Sequence, residues 1–185
     1  VSLQPGQSET LAWTLPELRG MPIFAAGVEM LEPGQGSPTL YLDYLTWEGT
    51  PCTIFTRPTG GSPSSHGRGQ WRQAWVNAVD QWEKRYPEAF RLVQNHGRGM
   101  IATGAREWTD YRVSAVVRPA LLRAGGLAAR VQGLQRFYTL ALTGDHKIRL
   151  LKVYEGQETV LTEAPCEWQP WQTYRLSLEV HGNHL

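Results

Sequence analysis

Four residues stand out as able to act together: Arg112, Arg130, Gln132 and Tyr138. They fall on three stretches that read as strands, residues 108–117, 126–132 and 136–142. On the middle stretch Arg130 and Gln132 share the face opposite Leu127 and Val131, because successive side chains of a strand point to opposite sides. A guanidinium offers a planar fork of donors, and a phenol ring can stack on a flat ligand face. Together these groups would hold a sugar. The competing reading pairs Arg130 with an acidic neighbour on the polar side of the sheet.

Covalent and acid–base chemistry finds less support. Glu155 and Glu158 are near one another but sit in a hairpin turn, where solvated charge is the ordinary state. A glycosidase needs two carboxylates flanking the sugar bond. No Gly-x-Ser-x-Gly and no Gly-rich phosphate loop occurs. The histidines at 66, 96, 146, 181 and 184 are scattered, mostly beside glycine or in turns, and read as exposed. Cys52 and Cys166 are the two cysteines; with no Cys-x-x-Cys, two reduced, partly buried thiols are expected. No catalytic residue and no protein-bound metal set is assigned.

The elements that must position these groups are strands. In 108–117, Tyr111, Val113, Ala115 and Val117 alternate with Arg112, Ser114 and Val116. Residues 136–142 follow, then a Gly144-Asp145 hairpin turn, then 147–154, a Glu155-Gly156 turn and 159–163. Residues 173–180 alternate throughout, with Tyr174, Leu176, Leu178 and Val180 on one face. Short strands separated by turns predict an all-β, antiparallel sandwich.

Upstream, residues 7–15, 23–31 and 39–47 also read as strands between Pro and Gly signals, and residues 59–70 read as a Gly/Ser-rich linker. Three parts follow: 1–58, the linker 59–70, and 71–185. His66-Gly67-Arg68-Gly69 recurs as His96-Gly97-Arg98-Gly99, which reads as turn chemistry. Trp71, Trp75, Val79, Trp82 and Tyr86 fit either an amphipathic helix or a strand with an irregular turn.

Lys plus Arg number 18 and Asp plus Glu 17, so the net charge is +1 and gives no reason to expect nucleic acid or an anionic membrane. Apolar runs are too short to span a bilayer and no signal peptide is read, so a cytoplasmic location is slightly favoured. Val1 is not an initiator Met, so processing or excision is expected. Eight Trp among 185 residues is a heavy load, most simply spent on core packing.

Leu11-Ala12-Trp13, Ala26-Gly27-Val28-Glu29-Met30 and Leu40-Tyr41-Leu42-Asp43-Tyr44-Leu45 resemble the closing strands of a galactose-binding-like β-sandwich. The resemblance implies a partial module over 1–58. Asp43 reads first as a simple hydrogen-bonding residue, with a structural calcium, as in some modules of that type, the alternative, and no cofactor is expected. Trp108-Thr109-Asp110-Tyr111-Arg112-Val113, residues 126–132, residues 137–142 and the stretch from Tyr174 to Asn183 look like a concanavalin A-like jelly roll, nearest the laminarinase and 3-keto-disaccharide hydrolase type. The Glu-x-Asp-x-x-Glu strand of the laminarinase-type enzymes is missing. With Tyr44-Leu45-Thr46-Trp47, Trp75-Val76-Asn77-Ala78-Val79-Asp80 and Gln94-Asn95-His96-Gly97-Arg98-Gly99, the arrangement resembles the non-catalytic C-terminal region of some bacterial ADP-ribosylglycohydrolase-family proteins.

That resemblance implies an accessory region that binds carbohydrate or ADP-ribose beside a hydrolase domain. The alternatives are a glycoside hydrolase acting through the jelly roll itself, and a structural or oligomerising module. The final strand that normally follows 173–180 in a jelly roll is missing, which predicts an open sheet edge and self-association.

Overall fold

The computed structural model describes residues 3–16, 23, 25–29, 39–48, 52–55, 70–83 and 90–185. Their regular structure is antiparallel β throughout, apart from one 3-10 turn at Gln70–Ala74, and no α-helix occurs among them.

The centre is a four-stranded antiparallel sheet in the order β6-β7-β8-β9, formed by β6 (Ala124–Ala129), β7 (Arg136–Thr143), β8 (Lys147–Tyr154) and β9 (Gln157–Pro165). Consecutive strands are neighbours because each connection is a tight reversal. Between β8 and β9, Glu155 and Gly156 have φ of 51° and 78°, the paired left-handed conformation of a type I′ turn. Between β7 and β8, His146 takes φ 58° and its N–H donates to Thr143 O at 3.1 Å.

A two-stranded ribbon of β5 (Tyr111–Val117) and β10 (Tyr174–Val180) packs across β6 and β7. Its inner face carries Tyr111, Val113, Leu176, Leu178 and Val180, which meet Ala129, Leu140, Leu142 and Leu150 of the sheet. These are the residues whose alternation marked the two strands. Trp168 and Ile148 complete the apolar interior at the far end. Close approach also explains Gly126: a Cβ there would stand 2.0 Å from Leu140 O.

The ribbon's outer face is a polar ladder. Arg112 lies opposite Glu179 and bonds it through Nε at 2.9 Å, and Ser114 lies opposite Ser177 with their hydroxyls 2.8 Å apart. On the second face of the central sheet Phe137, Ala141, Leu151 and Val153 are also buried. The Arg98 guanidinium covers Phe137 at 5.3 Å and donates to Leu134 O at 2.7 Å and to Glu158 at 2.6 Å.

Four short strands lie upstream: β1 (Val76–Ala78) pairs with β4 (Met100–Ala102), and β2 (Gln81–Trp82) with β3 (Leu92–Val93). Trp82 in β2, with Trp75 just before β1 and Phe90 just before β3, forms an aromatic cluster with Phe55. The tryptophans at 75 and 82 thus belong to a strand-and-turn segment, not to an amphipathic helix.

Several expectations need correction. Residues 7–15 and 39–47 form no strand, and their apolar side chains are exposed, Trp13 at 78% and Tyr41 at 85%. Alternation alone cannot make a strand; the backbone must find a ladder partner, and these segments have none among the described residues. In the stretch 23–31 the described residues, 23 and 25–29, are likewise exposed and form no strand, and the linker 59–70 lies outside the described residues except for residue 70. The strand expected over 108–117 begins at Tyr111, and that expected over 126–132 ends at Ala129, because Arg130 turns to φ 49°. Cys166 is half-buried as expected, but Cys52 is exposed; both thiols are free. The described histidines are all exposed, and Gly97, at φ 66°, makes 96–99 a turn.

Candidate functional site

The β5–β10 ribbon does not cover the whole central sheet. Residues of one parity on β7 and β8 face it: Leu140, Leu142, Ile148 and Leu150 lie beneath it. The same parity continues past the ribbon to Arg136 and Tyr138 on β7 and to Lys152 and Tyr154 on β8. The register sets Tyr138 opposite Lys152 and Arg136 opposite Tyr154. Two cations and two phenol rings therefore alternate on one face, with Arg136, Lys152 and Tyr154 exposed and Tyr138 half-buried beside Ala129.

The contacts confirm the shared face. The Arg136 guanidinium lies 4.6 Å from the Tyr154 ring centre, and Lys152 Nζ lies 5.6 Å from it. Tyr154 is about half exposed, at 48%. Glu155 reaches Arg136 at 4.0 Å and Gln132 Oε1 accepts from Arg136 Nη1 at 3.4 Å. An open recess of about 360 Å³ lies beside this group, lined by Gln132, Gly133, Leu134, Gln135, Arg136 and Glu155. The β6–β7 turn shapes it: Gly133 at φ 117° lets the chain reverse, and Gln132 N–H closes the turn on Arg136 O at 2.8 Å.

Of the four residues expected to form a site, the structure places two here, Tyr138 on the shared face and Gln132 at the recess. Arg130 is turned elsewhere. Its Nε donates to Thr109 O at 3.1 Å, its Nη2 reaches Asp110 at 3.2 Å, and its backbone N–H donates to the Tyr111 hydroxyl at 2.6 Å. Arg130 pairs with an acidic neighbour, as the competing reading had it. Arg112 lies on the outer side of the ribbon with Glu179, away from the other three. Glu155 and Glu158 do not face one another: Glu155 is in the turn, and Glu158 on β9 is held by Arg98. Asp43 is exposed.

Arg136, Lys152 and Tyr154 were missed because they come from strands whose register is not written locally. The available signal was parity: Arg136 and Tyr138 are two residues apart at the start of β7, and Lys152 and Tyr154 two apart at the end of β8, just before the Glu155-Gly156 turn.

The opposite end of the sheet is held by charge. Asp145 accepts from the Thr143 hydroxyl at 2.6 Å and pairs with Arg149 at 2.5 Å, which pull its carboxyl below the ordinary range. Glu163 is bonded by Lys147 and by Arg149, and is lowered likewise. Glu163, then Asp145, raise the Arg149 guanidinium in return.

No family model, curated protein or solved structure matches the chain.

Proposed function

We propose that the chain is a non-catalytic binding region that holds a carbohydrate or ADP-ribose-type ligand on the uncovered surface of β7 and β8, as an accessory to a larger ADP-ribosylglycohydrolase-like hydrolase. The observation that carries this is the Tyr154 ring flanked by Arg136 and Lys152, with Tyr138 alongside. Phenol rings offer stacking faces for a sugar or a base. The two cations suit the charged oxygens of a pyrophosphate, with Gln132 and Gln135 at hand for hydroxyls. The finer architecture, a concanavalin A-like jelly roll preceded by a partial galactose-binding-like segment, belongs to the same proposal. Two packed antiparallel layers with tight reversals support it.

A shallow open surface buries little of a ligand, so affinity is expected to be roughly micromolar to millimolar. The test is calorimetry of the purified chain against ADP-ribose and a glycan panel, with product analysis in parallel. Binding without turnover, weakened by Arg136→Ala and by Tyr154→Ala, is the expected result. Hydrolysed product would favour a glycoside hydrolase. Silence across the panel would leave a structural module.

A further inference from the structure

β10 ends at Val180 and the chain reverses at once through His181-Gly182-Asn183-His184. His181 and His184 form an antiparallel bridge in which each N–H donates to the other's carbonyl, at 3.0 and 2.8 Å. Gly182, at φ 50°, occupies the first central position, as a type II′ turn requires. Residues directly opposed in an antiparallel pair send their side chains to one face, with Cβ atoms roughly 4.5–5.5 Å apart. Both imidazoles therefore stand on the same side of the turn, and both residues are exposed.

A carboxylate stands behind them. Asp110 Oδ2 lies 3.8 Å from His181 Nδ1. Asp110 Oδ1 accepts from the Gly182 N–H at 2.9 Å and from Arg130 at 3.2 Å, which fixes the carboxylate against the turn. At 3.8 Å the carboxylate and His181 Nδ1 are in ion-pair range and not hydrogen-bonded. A carboxylate at this place is positioned to take the Nδ1 proton when Nε2 binds a metal, the outer-shell role common beside histidine ligands.

We propose that His181 and His184 chelate a late first-row transition ion, Zn²⁺, Cu²⁺ or Ni²⁺, with Asp110 as the outer-shell carboxylate and water in the remaining positions. Imidazole nitrogen suits these ions, whereas Mg²⁺ and Ca²⁺ take oxygen donors. Among the described residues no three His, Cys, Asp or Glu side chains gather to hold a metal, so the site is a two-imidazole chelate and keeps open positions. The two rings are held side by side only when the turn is formed, so the ion stabilises the folded chain by mass action. This site is independent of the β7–β8 surface.

The test uses the whole chain without a histidine tag, stripped with a chelator and titrated with Zn²⁺, Cu²⁺ and Ni²⁺ by calorimetry, with melting curves in parallel. One ion per chain and a raised midpoint are expected, with Mg²⁺ and Ca²⁺ silent. His184→Ala, an exposed change, should lose most of the binding while the metal-free midpoint stays put. Asp110→Asn should weaken binding about 10-fold, the lower end for an outer-shell partner. His146→Ala should leave it unchanged. Absence of binding by all three ions, or equal binding by the His184→Ala chain, overturns the proposal; unchanged affinity in Asp110→Asn removes the carboxylate from it.

Discussion

The Trp168 indole N–H donates to the carbonyl oxygen of Thr143 at 2.7 Å in the buried interior. One residue thus ties the connection between β9 and β10 to the β7–β8 turn, and carries the ribbon back over the sheet. Trp168→Phe keeps the apolar bulk and leaves that carbonyl with the His146 N–H alone. The expected loss is about 0.5–1.5 kcal/mol, the net worth of one hydrogen bond, read from chemical denaturation. A change within about 0.5 kcal/mol, the scale of an ordinary surface substitution, would show that the bond does not hold the turn.

Leu176→Ala should cost on the order of 2–5 kcal/mol, because Leu176 is 5% exposed and packs with Leu142 and Trp168. The same denaturation curves measure it. A loss below about 0.5 kcal/mol would mean that β10 presents its other face to the sheet.

Gly126→Ala tests close approach instead of burial. The added methyl would meet backbone, Leu140 O at 2.0 Å and Ala141 Cα at 2.9 Å, and backbone cannot rotate aside. β6 would have to part from β7, at about 1–3 kcal/mol or more. Amide exchange should show faster opening along Leu127 to Ala129 before the rest of the sheet is affected. Wild-type exchange there would contradict the packing.

Arg130→Ala should act on stability. Its guanidinium joins Thr109 and Asp110 ahead of β5, so its loss should cost about 1 kcal/mol. Ligand affinity at Tyr154 should be unchanged. A weakened ligand with an unaltered melting curve would reverse this assignment.

Acid should loosen the β7–β9 end. Asp145 is held low first by the Thr143 hydroxyl and then by Arg149; Glu163 first by Lys147 and then by Arg149. A depressed carboxyl contributes stability in full above its ordinary pKa, here 3.8 and 4.5, and loses it as the pH falls through the lowered value. The melting midpoint should therefore decline from about pH 5 downward. Glu163→Gln should flatten that decline; an identical slope in both chains would remove Glu163 from it.

The strands that were legible in the sequence are those whose alternation coincides with a ladder. For 147–154 the expected and observed bounds agree, and the Gly144-Asp145 and Glu155-Gly156 turns lie where their residue types put them. Where alternation and ladder part company, sequence misleads. Leu127, Ala129 and Val131 keep period two across Arg130, but the left-handed backbone at Arg130 ends β6, so Arg130 and Gln132 never share a strand face. The candidate surface was half legible for a related reason. Tyr138 could be named from its own strand, whereas Arg136, Lys152 and Tyr154 become a group only through the β7–β8 register.

β9 has a consequence for how the protein behaves in a crowded solution. All nine of its residues are exposed, and its outer edge is a row of peptide groups on which a foreign strand could template. Yet the register slips beside Leu150 and Leu151, so that Thr162 and Val160 are paired and Leu161 is left over. Such an extra residue sharpens the local twist. The apolar pair Val160 and Leu161 is also bracketed by Glu158 and Glu163, and Pro165 closes the strand. A flat, straight fibril ladder would meet a kink, two like charges and a missing N–H within a few residues. The strand that is exposed along its whole length among the described residues thus also carries the features that work against amyloid-like stacking.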